Sequence, residues 1–290
     1  TRPIQIGDFA WDLNFNFAKN SNKVKKLVDD MDMFELEKAS WLDVQIAAKV
    51  GENFGSIVGP DFVRNEKGDI LIDPQTGLPE YDKSNHVLGN ASWDWTGGIS
   101  TALHYKNFSL SALFDIKVGA DLYSMSARAA YESGKSKATM EGRDAWYASE
   151  EQRQAAGIPK GSDNWKPTGG FIAPGVIDNG DGTYRPNDII INPEDYWMSV
   201  CRNAPSMFIY DNSYIKCREI VLSYQFPKKW LGKVLQEMSV SFVARNPFIV
   251  WKNIPNIDPD SNYNNTTGMG LEYGSLPSRK SYGINVNIKF

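Results

Sequence analysis

Alternation of apolar and polar residues with a period of two is the feature that most constrains how this chain can fold. In the segment DFAWDLNFNFA the odd positions from Phe9 to Phe17 are all apolar, and the even positions are mostly Asp or Asn. The same alternation recurs at residues 95–105, 108–116, 213–226, 238–245 and 282–290. Since successive side chains of a strand point to opposite faces, each segment predicts a strand with one apolar and one polar face. With weaker candidates at 44–50 and 56–63, we expect an all-β body of about eight strands.

The connections between these segments carry their own local signals. Lys106 and Asn107 alone separate two of the strands, which predicts a hairpin with a tight turn. The sequence DNGDG at 178–182 also predicts a hairpin turn, because Asp-Gly favours positive φ. Helical patterns are restricted to residues 23–39, 142–156 and 228–236, and the first is equally compatible with a strand hairpin.

Alternation does not by itself distinguish a soluble β-sandwich from a membrane β-barrel. Three features favour the barrel. Aromatic residues such as Trp95, Tyr105 and Tyr224 stand at strand ends, where interfacial girdles lie. The connections range from the two residues 106–107 to a loop at about 118–211, as in barrels with short turns on one side and long extracellular loops on the other. The last strand ends on the aromatic residue Phe290.

Composition excludes several classes of protein. The mean hydropathy is −0.42, and no apolar run approaches the roughly 20 residues that a membrane-spanning helix needs. A net charge of −4 provides no basic excess for binding nucleic acid. Cys201 and Cys217 form either one bridge or two free thiols. Because nucleophile motifs, phosphate-binding loops and metal-ligand spacings are absent from the sequence, we expect no enzyme activity, no cofactor and no metal site.

The predicted loop at 118–211 is rich in aromatic residues set among Gly, Asn, Asp and Ser. Aromatic rings offer flat apolar faces to sugars or peptide side chains, and loops are where binding residues concentrate. The competing interpretation is that the rings only fix the loop to its neighbours. The candidate ligand-binding residues are Trp146, Tyr147, Trp165, Tyr184, Tyr196 and Trp197.

Four segments contain short motifs that occur in a fixed order. Residues 89–124 place Gly-Asn and Trp before a Gly-rich strand, a short turn ending in Asn-Phe and a second strand. Residues 213–233 include Tyr-Gln-Phe-Pro-Lys, residues 240–260 include Arg-Asn-Pro-Phe and Ile-Asp-Pro, and 281–290 form a closing strand. Together they resemble SusC/RagA-type TonB-linked outer-membrane proteins, although Arg-Asn-Pro-Phe replaces that family's usual Gly-x-Asn-Leu-Phe.

The resemblance implies that residues 1–290 are the C-terminal part of a transmembrane antiparallel barrel of about 22 strands. The plug domain and signal peptide of such a protein are then expected to lie outside this chain. The resemblance also implies that the closing strand is recognised by the barrel-assembly machinery through Tyr282, Ile284, Val286, Ile288 and Phe290.

The function implied by the resemblance is TonB-dependent import of an oligosaccharide or peptide across the bacterial outer membrane. The implied partners are a SusD-type surface lipoprotein and the TonB complex, with a dimer of transporter–lipoprotein pairs as a further assembly. Two alternatives stay open at this point. One is a soluble, secreted β-rich glycan-binding module or hydrolase, and the other is a TonB-dependent siderophore or vitamin receptor without a lipoprotein lid.

Overall fold

The structure is a computed structural model that describes residues 1–28, 30–38, 44–264 and 266–290. Most of its regular structure is β-strand, and no described helix is long and apolar enough to cross a membrane. Within the described residues, three α-helices lie between strands: α1 (Met125–Glu132), α2 (Arg143–Ala155) and α3 (Pro193–Asn203). Short 3₁₀ turns are found at Lys137–Met140, Pro205–Phe208 and Lys228–Trp230. The strands in chain order are β1 (Ile4–Ile6), β2 (Phe9–Lys19), β3 (Met33–Glu37), β4 (Gln45–Lys49), β5 (Ser56–Phe62), β6 (Tyr81–Asn90), β7 (Trp95–Tyr105), β8 (Phe108–Val118), β9 (Asp121–Ser124), β10 (Phe171–Ile172), β11 (Val176–Asp178), β12 (Tyr184–Pro186), β13 (Ile190–Ile191), β14 (Ile209–Asp211), β15 (Tyr214–Gln225), β16 (Glu237–Lys252), β17 (Leu271–Glu272) and β18 (Ser281–Lys289).

The largest described sheet has seven antiparallel strands in the order β1-β2-β7-β8-β15-β16-β18, and we call it the wall. Its register aligns apolar residues of successive strands directly opposite one another. One such row contains Trp11, Leu103, Leu110, Leu222, Phe242 and Ile284. All of these side chains except Trp11 are exposed rather than buried in a core, with exposed fractions that range from 39% for Leu103 to 75% for Ile284.

The opposite face of the wall is polar along the neighbouring row. Here the register aligns His104, Ser109, Ser223, Ser241 and Asn285, and the hydroxyls of Ser223 and Ser241 are 2.7 Å apart. A soluble sandwich would bury the apolar face, since each exposed Leu, Ile or Phe forgoes about 1.5–3 kcal/mol of burial. An apolar outside and a polar inside are what a barrel wall in lipid requires.

The connections of the wall are short at one end and long at the other. Residues 7–8, 106–107 and 226–236 lie together at the short-connection end, where the Lys106 amide donates to Asp8 and the Gln225 amide to Asn107. Lys106 takes a positive φ of 52° in the predicted two-residue hairpin turn. Residues 20–94, 119–213 and 253–280 all leave from the opposite, long-connection end.

The three long connections fold together around a hydrophobic core of their own. Strands β3 to β6 form a four-stranded sheet, and β14, β9 and β17 form a smaller one. Buried core residues come from each connection, for example Ile57, Phe208 and Leu271. The weaker strand candidates at 44–50 and 56–63 are confirmed as β4 and β5, but they pair in this separate sheet and add nothing to the wall.

The sequence predicted one further hairpin turn and three helical segments, and the structure confirms the turn and one of the helices. The DNGDG turn is confirmed, since β11 and β12 pair antiparallel on either side of it. Residues 142–156 form α2 as predicted, whereas residues 228–236 contain only the 3₁₀ turn Lys228–Trp230. The helical alternative for residues 23–39 is wrong over the described part, where β3 is the regular element; residues 29 and 39 lie outside the described residues.

Candidate functional site

A cavity of about 490 Å³ lies among the three helices of the connection between β8 and β15. Helix α2 presents Arg143, Trp146, Glu150 and Gln154 to it, at a spacing of three or four residues that places them on one helical face. The lining is Tyr131, Glu132, Ser133, Gly134, Thr139, Arg143, Trp146, Tyr147, Glu150, Gln154, Lys160, Asn192, Pro193, Glu194, Trp197 and Met198. It combines aromatic, acidic, basic and amide side chains.

Local capping and hydrogen bonds hold the helices around the cavity. The Asn192 side chain accepts a hydrogen bond of 3.0 Å from the Glu194 amide, and Pro193 begins α3. The Arg143 guanidinium donates to the Gly134 carbonyl at 3.2 Å and to the Thr139 carbonyl and hydroxyl at 3.0 Å. These bonds attach the start of α2 to the segment that follows α1.

Helix α1 is fixed by a buried carboxylate from a different connection. The Ser124 hydroxyl caps α1 by accepting from the Ala127 amide at 3.0 Å, and it donates to Glu272 at 2.8 Å. Glu272 is 1% exposed and also accepts from the Ser126 hydroxyl at 2.6 Å, the Ser126 amide at 3.1 Å and the Ser275 amide at 3.1 Å. Glu272 therefore positions the helix that supplies Tyr131 and Glu132 to the cavity.

The cavity wall carries charges of both signs. Glu150 accepts hydrogen bonds from Arg153, with a shortest N–O distance of 2.9 Å, and this lowers the pKa of its carboxyl group. The carboxylates of Glu132 and Glu194 and the ammonium of Lys160 also line the cavity, and the charge of Lys160 contributes to lowering the pKa of Glu150. These groups can therefore take hydrogen bonds or charge from a ligand.

The structure brings three of the six predicted ligand-binding residues to this cavity. Trp146 and Tyr147 lie on α2, with Tyr147 61% exposed, and Trp197 lies on α3 with its ring 4.9 Å from that of Tyr131. The Trp197 indole N–H has no acceptor among the described residues.

The other three predicted residues lie elsewhere. Tyr196 packs in the core against Phe171, with ring centroids 4.7 Å apart, and burial raises the pKa of its hydroxyl to about 12. Trp165 and Tyr184 are outside the cavity lining. Glu132 and Glu194 were not predicted from the sequence. The signals that could have found them are the neighbouring Tyr131 and, at residues 192–195, the sequence Asn-Pro-Glu-Asp, which is typical of a helix start.

A second polar site, also missed from the sequence, lies on the inner face of the wall. The Lys216 ammonium, in β15, is 3.0 Å from Asp258 and 2.7 Å from Asp260, and also contacts Ser278. Arg218 pairs with Asp260 and, at 2.5 Å, with Asp115 of β8. Burial alone would raise the pKa of Asp260, but hydrogen bonds from Arg218 and Lys216 outweigh it and hold the pKa below its usual value.

This charged cluster fastens the connection 253–280 to the wall.

The structure has no disulfide between Cys201 and Cys217. Both are free thiols, buried at separate positions in α3 and β15. Among the described residues there is no group of His, Cys, Asp and Glu side chains suited to hold a metal ion.

Comparison with known proteins places these features in a wider context. No protein-family model matches the chain. TonB-dependent receptor P3 of Formosa agariphila is 23% identical over 317 aligned positions, which cover 100% of this chain and 28% of the receptor. TonB-dependent receptor SusC of Bacteroides thetaiotaomicron is 22% identical, with 100% of this chain and 25% of SusC covered. The chain is similar to SusC/RagA-type TonB-dependent receptors over its whole length.

The solved structures agree with the fold. The structure of the RagAB peptide transporter matches 100% of this chain and 28% of the transporter chain, with a TM-score of 0.60 and 15% identity. The RagAB peptide importer in the closed-closed state matches with a TM-score of 0.58 and the same identity. These comparisons confirm the resemblance, the barrel-segment fold and the outer-membrane location, while the chain spans about a quarter of the length of these relatives.

Proposed function

We propose that this chain supplies part of the barrel wall and the extracellular mouth of a TonB-dependent outer-membrane importer. The observation that carries the proposal is the wall itself, which is apolar outside and polar inside and sends all three long connections from one end. In outer-membrane barrels the long loops are extracellular. The connection at 119–213, with its three helices, would then face the cell exterior.

The closing strand has the role expected of a barrel segment that continues elsewhere. In β18 the residues Tyr282, Ile284, Val286 and Ile288 lie on the apolar face, and within the described residues the strand pairs on one edge only, with β16. An unpaired strand edge in lipid costs several kcal/mol per backbone group. A strand outside this chain would cover that edge, and the assembly machinery would recognise the aromatic and aliphatic face that ends at Phe290.

The cavity among α1, α2 and α3 is the proposed ligand contact. Trp146, Tyr147 and Trp197 offer apolar ring faces, while Glu132 and Glu194 can accept hydrogen bonds from hydroxyl or amino groups. This chemistry suits an oligosaccharide or a peptide. A SusD-type lipoprotein would lid the extracellular mouth, and the TonB complex would supply the energy for passage, with transporter–lipoprotein pairs able to dimerise.

The similar proteins support TonB-dependent import more strongly than they support a particular cargo or lipoprotein partner. RagAB is a peptide transporter and importer, which favours a polymer fragment over a siderophore or vitamin as the cargo of this chain. No bond-making chemistry is part of the proposed mechanism, so the protein would act as a transporter and not as an enzyme.

Uptake by cells that carry the native receptor tests the proposal. We expect cells to take up at least one member of a panel of fluorescent oligosaccharides and peptides, and uptake to stop when TonB is deleted. A Trp146→Ala/Tyr147→Ala variant should lose uptake, whereas Tyr184→Ala, which removes an exposed ring outside the cavity, should retain it. Recovery of the receptor as a detergent-independent soluble protein, or uptake of only ferric siderophores and without a lipoprotein, would refute the proposal in favour of the corresponding alternative.

A further inference from the structure

The turn between β15 and β16, residues 226–236, is basic and aromatic and lies at the short-connection end of the wall. We call it the basic turn. It contains Lys228, Lys229 and Lys233 and no acidic residue, and all three lysines are exposed. Among the described residues no carboxylate forms an ion pair with any of them.

A continuous series of aromatic contacts joins the basic turn to the lipid-facing surface. The rings of Phe108 and Tyr224, which oppose each other in the apolar face of the wall, are 4.7 Å apart. Tyr224 contacts Phe226 at 5.1 Å, and Phe226 lies 6.3 Å from Trp230. Trp230 is 61% exposed, so the lipid-facing surface continues into the turn and ends on an indole ring.

The charge at this end differs in sign from that of the whole chain. Lys106, in the neighbouring hairpin turn, holds its ammonium 5.5 Å from the ring of Tyr105, which lies on the lipid-facing side. Glu237 is 4.0 Å from Lys289, so that carboxylate is already matched by a cation. Asp8, in the turn at residues 7–8, is a further exposed carboxylate at this end. Lys106, Lys228, Lys229 and Lys233 outnumber it, so the short-connection end presents a surplus of lysines, although the chain carries a net charge of −4.

Lysine and tryptophan together are suited to the boundary between hydrocarbon and headgroups. The indole ring prefers this boundary, and lysine extends its ammonium toward phosphate oxygens while its methylene groups stay in the apolar layer. Each lysine near an anionic bilayer surface strengthens binding by about fivefold. The attraction requires lipids with net negative charge, since a zwitterionic headgroup neutralises its own phosphate.

We propose that the basic turn is a binding site for anionic phospholipids of the membrane leaflet at the short-connection end. Lys106, Lys228, Lys229 and Lys233 would contact the headgroup phosphates, and Trp230 would fix the depth of the wall in that leaflet. This proposal rests on the outer-membrane location of the wall and not on the identity of the imported cargo.

Native mass spectrometry of the detergent-released receptor provides the test. The probes are phosphatidylglycerol and phosphatidylethanolamine with identical acyl chains, added at equal concentration. We expect the unmodified receptor to retain phosphatidylglycerol preferentially. The variant Lys228→Gln/Lys229→Gln/Lys233→Gln should lose between about tenfold and 100-fold of this preference. The control Lys67→Gln/Lys83→Gln/Lys166→Gln removes three exposed lysines from the long connections and should keep it.

Two outcomes would overturn the proposal. One is an unmodified receptor that retains both lipids equally, which needs no variant and does not depend on how well a variant folds. The other is an equal loss of preference in the control and the turn variant, which would show that only the total charge matters. Uptake is measured separately, so a failure of the proposed import function remains distinguishable from a failure at this site.

Discussion

Replacing Glu272 with alanine is expected to release the N-terminus of α1 and thereby to loosen the proposed ligand cavity. Glu272 is 1% exposed and accepts four hydrogen bonds from three serine residues, Ser124, Ser126 and Ser275. The connection that contains it is more than 100 residues away in sequence from α1, with separations of 146 and 148 for the contacts to Ser126 and Ser124. The carboxylate therefore joins two connections that otherwise have independent chain paths.

The magnitude follows from the donors that would lose their acceptor. The Ser124 and Ser126 hydroxyls can rotate toward other acceptors, whereas the amides of Ser126 and Ser275 cannot. Each partly buried amide left without a partner costs about 1–3 kcal/mol. The loss of capping support at Ser124 adds about 1 kcal/mol. We therefore expect Glu272→Ala to lower the free energy of local opening at α1 by about 3 kcal/mol or more.

Hydrogen–deuterium exchange of the native receptor measures this opening directly. A change of about 3 kcal/mol corresponds to roughly 150-fold faster exchange of the α1 amides if they exchange by local opening. Glu272→Gln keeps one carbonyl oxygen as acceptor and should give a smaller increase. Glu66→Ala, which removes an exposed carboxylate in the β5–β6 connection, is the matched control and should give none. Exchange in Glu272→Ala that stays within threefold of the unmodified receptor would refute the assignment of Glu272 as the support of α1.

Three further predictions concern titratable groups in the long connections. Burial raises the pKa of Asp121, which also lies near the Asp211 carboxylate. At pH 7 the variant Asp121→Asn should therefore have the same thermal unfolding midpoint as the unmodified receptor or a higher one. A clear decrease would contradict this. The pKa values of Asp258 and Asp260 are lowered in the folded protein, so their contribution to stability is complete above the ordinary carboxyl pKa and is lost as pH falls below about 4. The thermal unfolding midpoint should therefore fall below about pH 4, and it should fall by less in Asp260→Asn. Burial raises the pKa of the Cys201 thiol to about 12, so maleimide at pH 8 should label it only after unfolding, and labelling of the native receptor would show that the site opens.

The wall could be predicted from the sequence because its signal is local. Each side chain of a strand in a barrel wall faces either lipid or the lumen. The period-two alternation of segments such as β7 and β8 therefore predicts both the strand and which of its faces is apolar. The two-residue turn at Lys106 and Asn107 then fixes the register of that pair without further information. The inequality of the connections, also visible in the sequence, separated a barrel from a sandwich.

The candidate site could be predicted only in its composition. Tyr147 and Tyr196 have the same chemistry and lie in similar polar surroundings along the chain, yet one is 61% and the other 3% exposed. Helix α2 presents Tyr147 to the cavity, whereas α3 turns Tyr196 into the core beside Phe171. Which aromatic ring faces a ligand thus depends on how the helices pack together.

Long-range contacts explain what the sequence left undecided. The alternation of the wall strands determined the strands and their apolar and polar faces, because each side chain matches the environment of its own face. The unequal connections then favoured a barrel segment over a sandwich. Strands β4 and β5 are neighbours in the chain, yet they pair in a sheet apart from the wall. The contacts of Lys216 with Asp258 and Asp260 and of Glu272 with Ser124 and Ser126 join residues that are 42 to 148 positions apart. Such contacts are decided by the tertiary structure, because the sequence around a charged or polar residue does not show whether water or a distant side chain will be its hydrogen-bond partner.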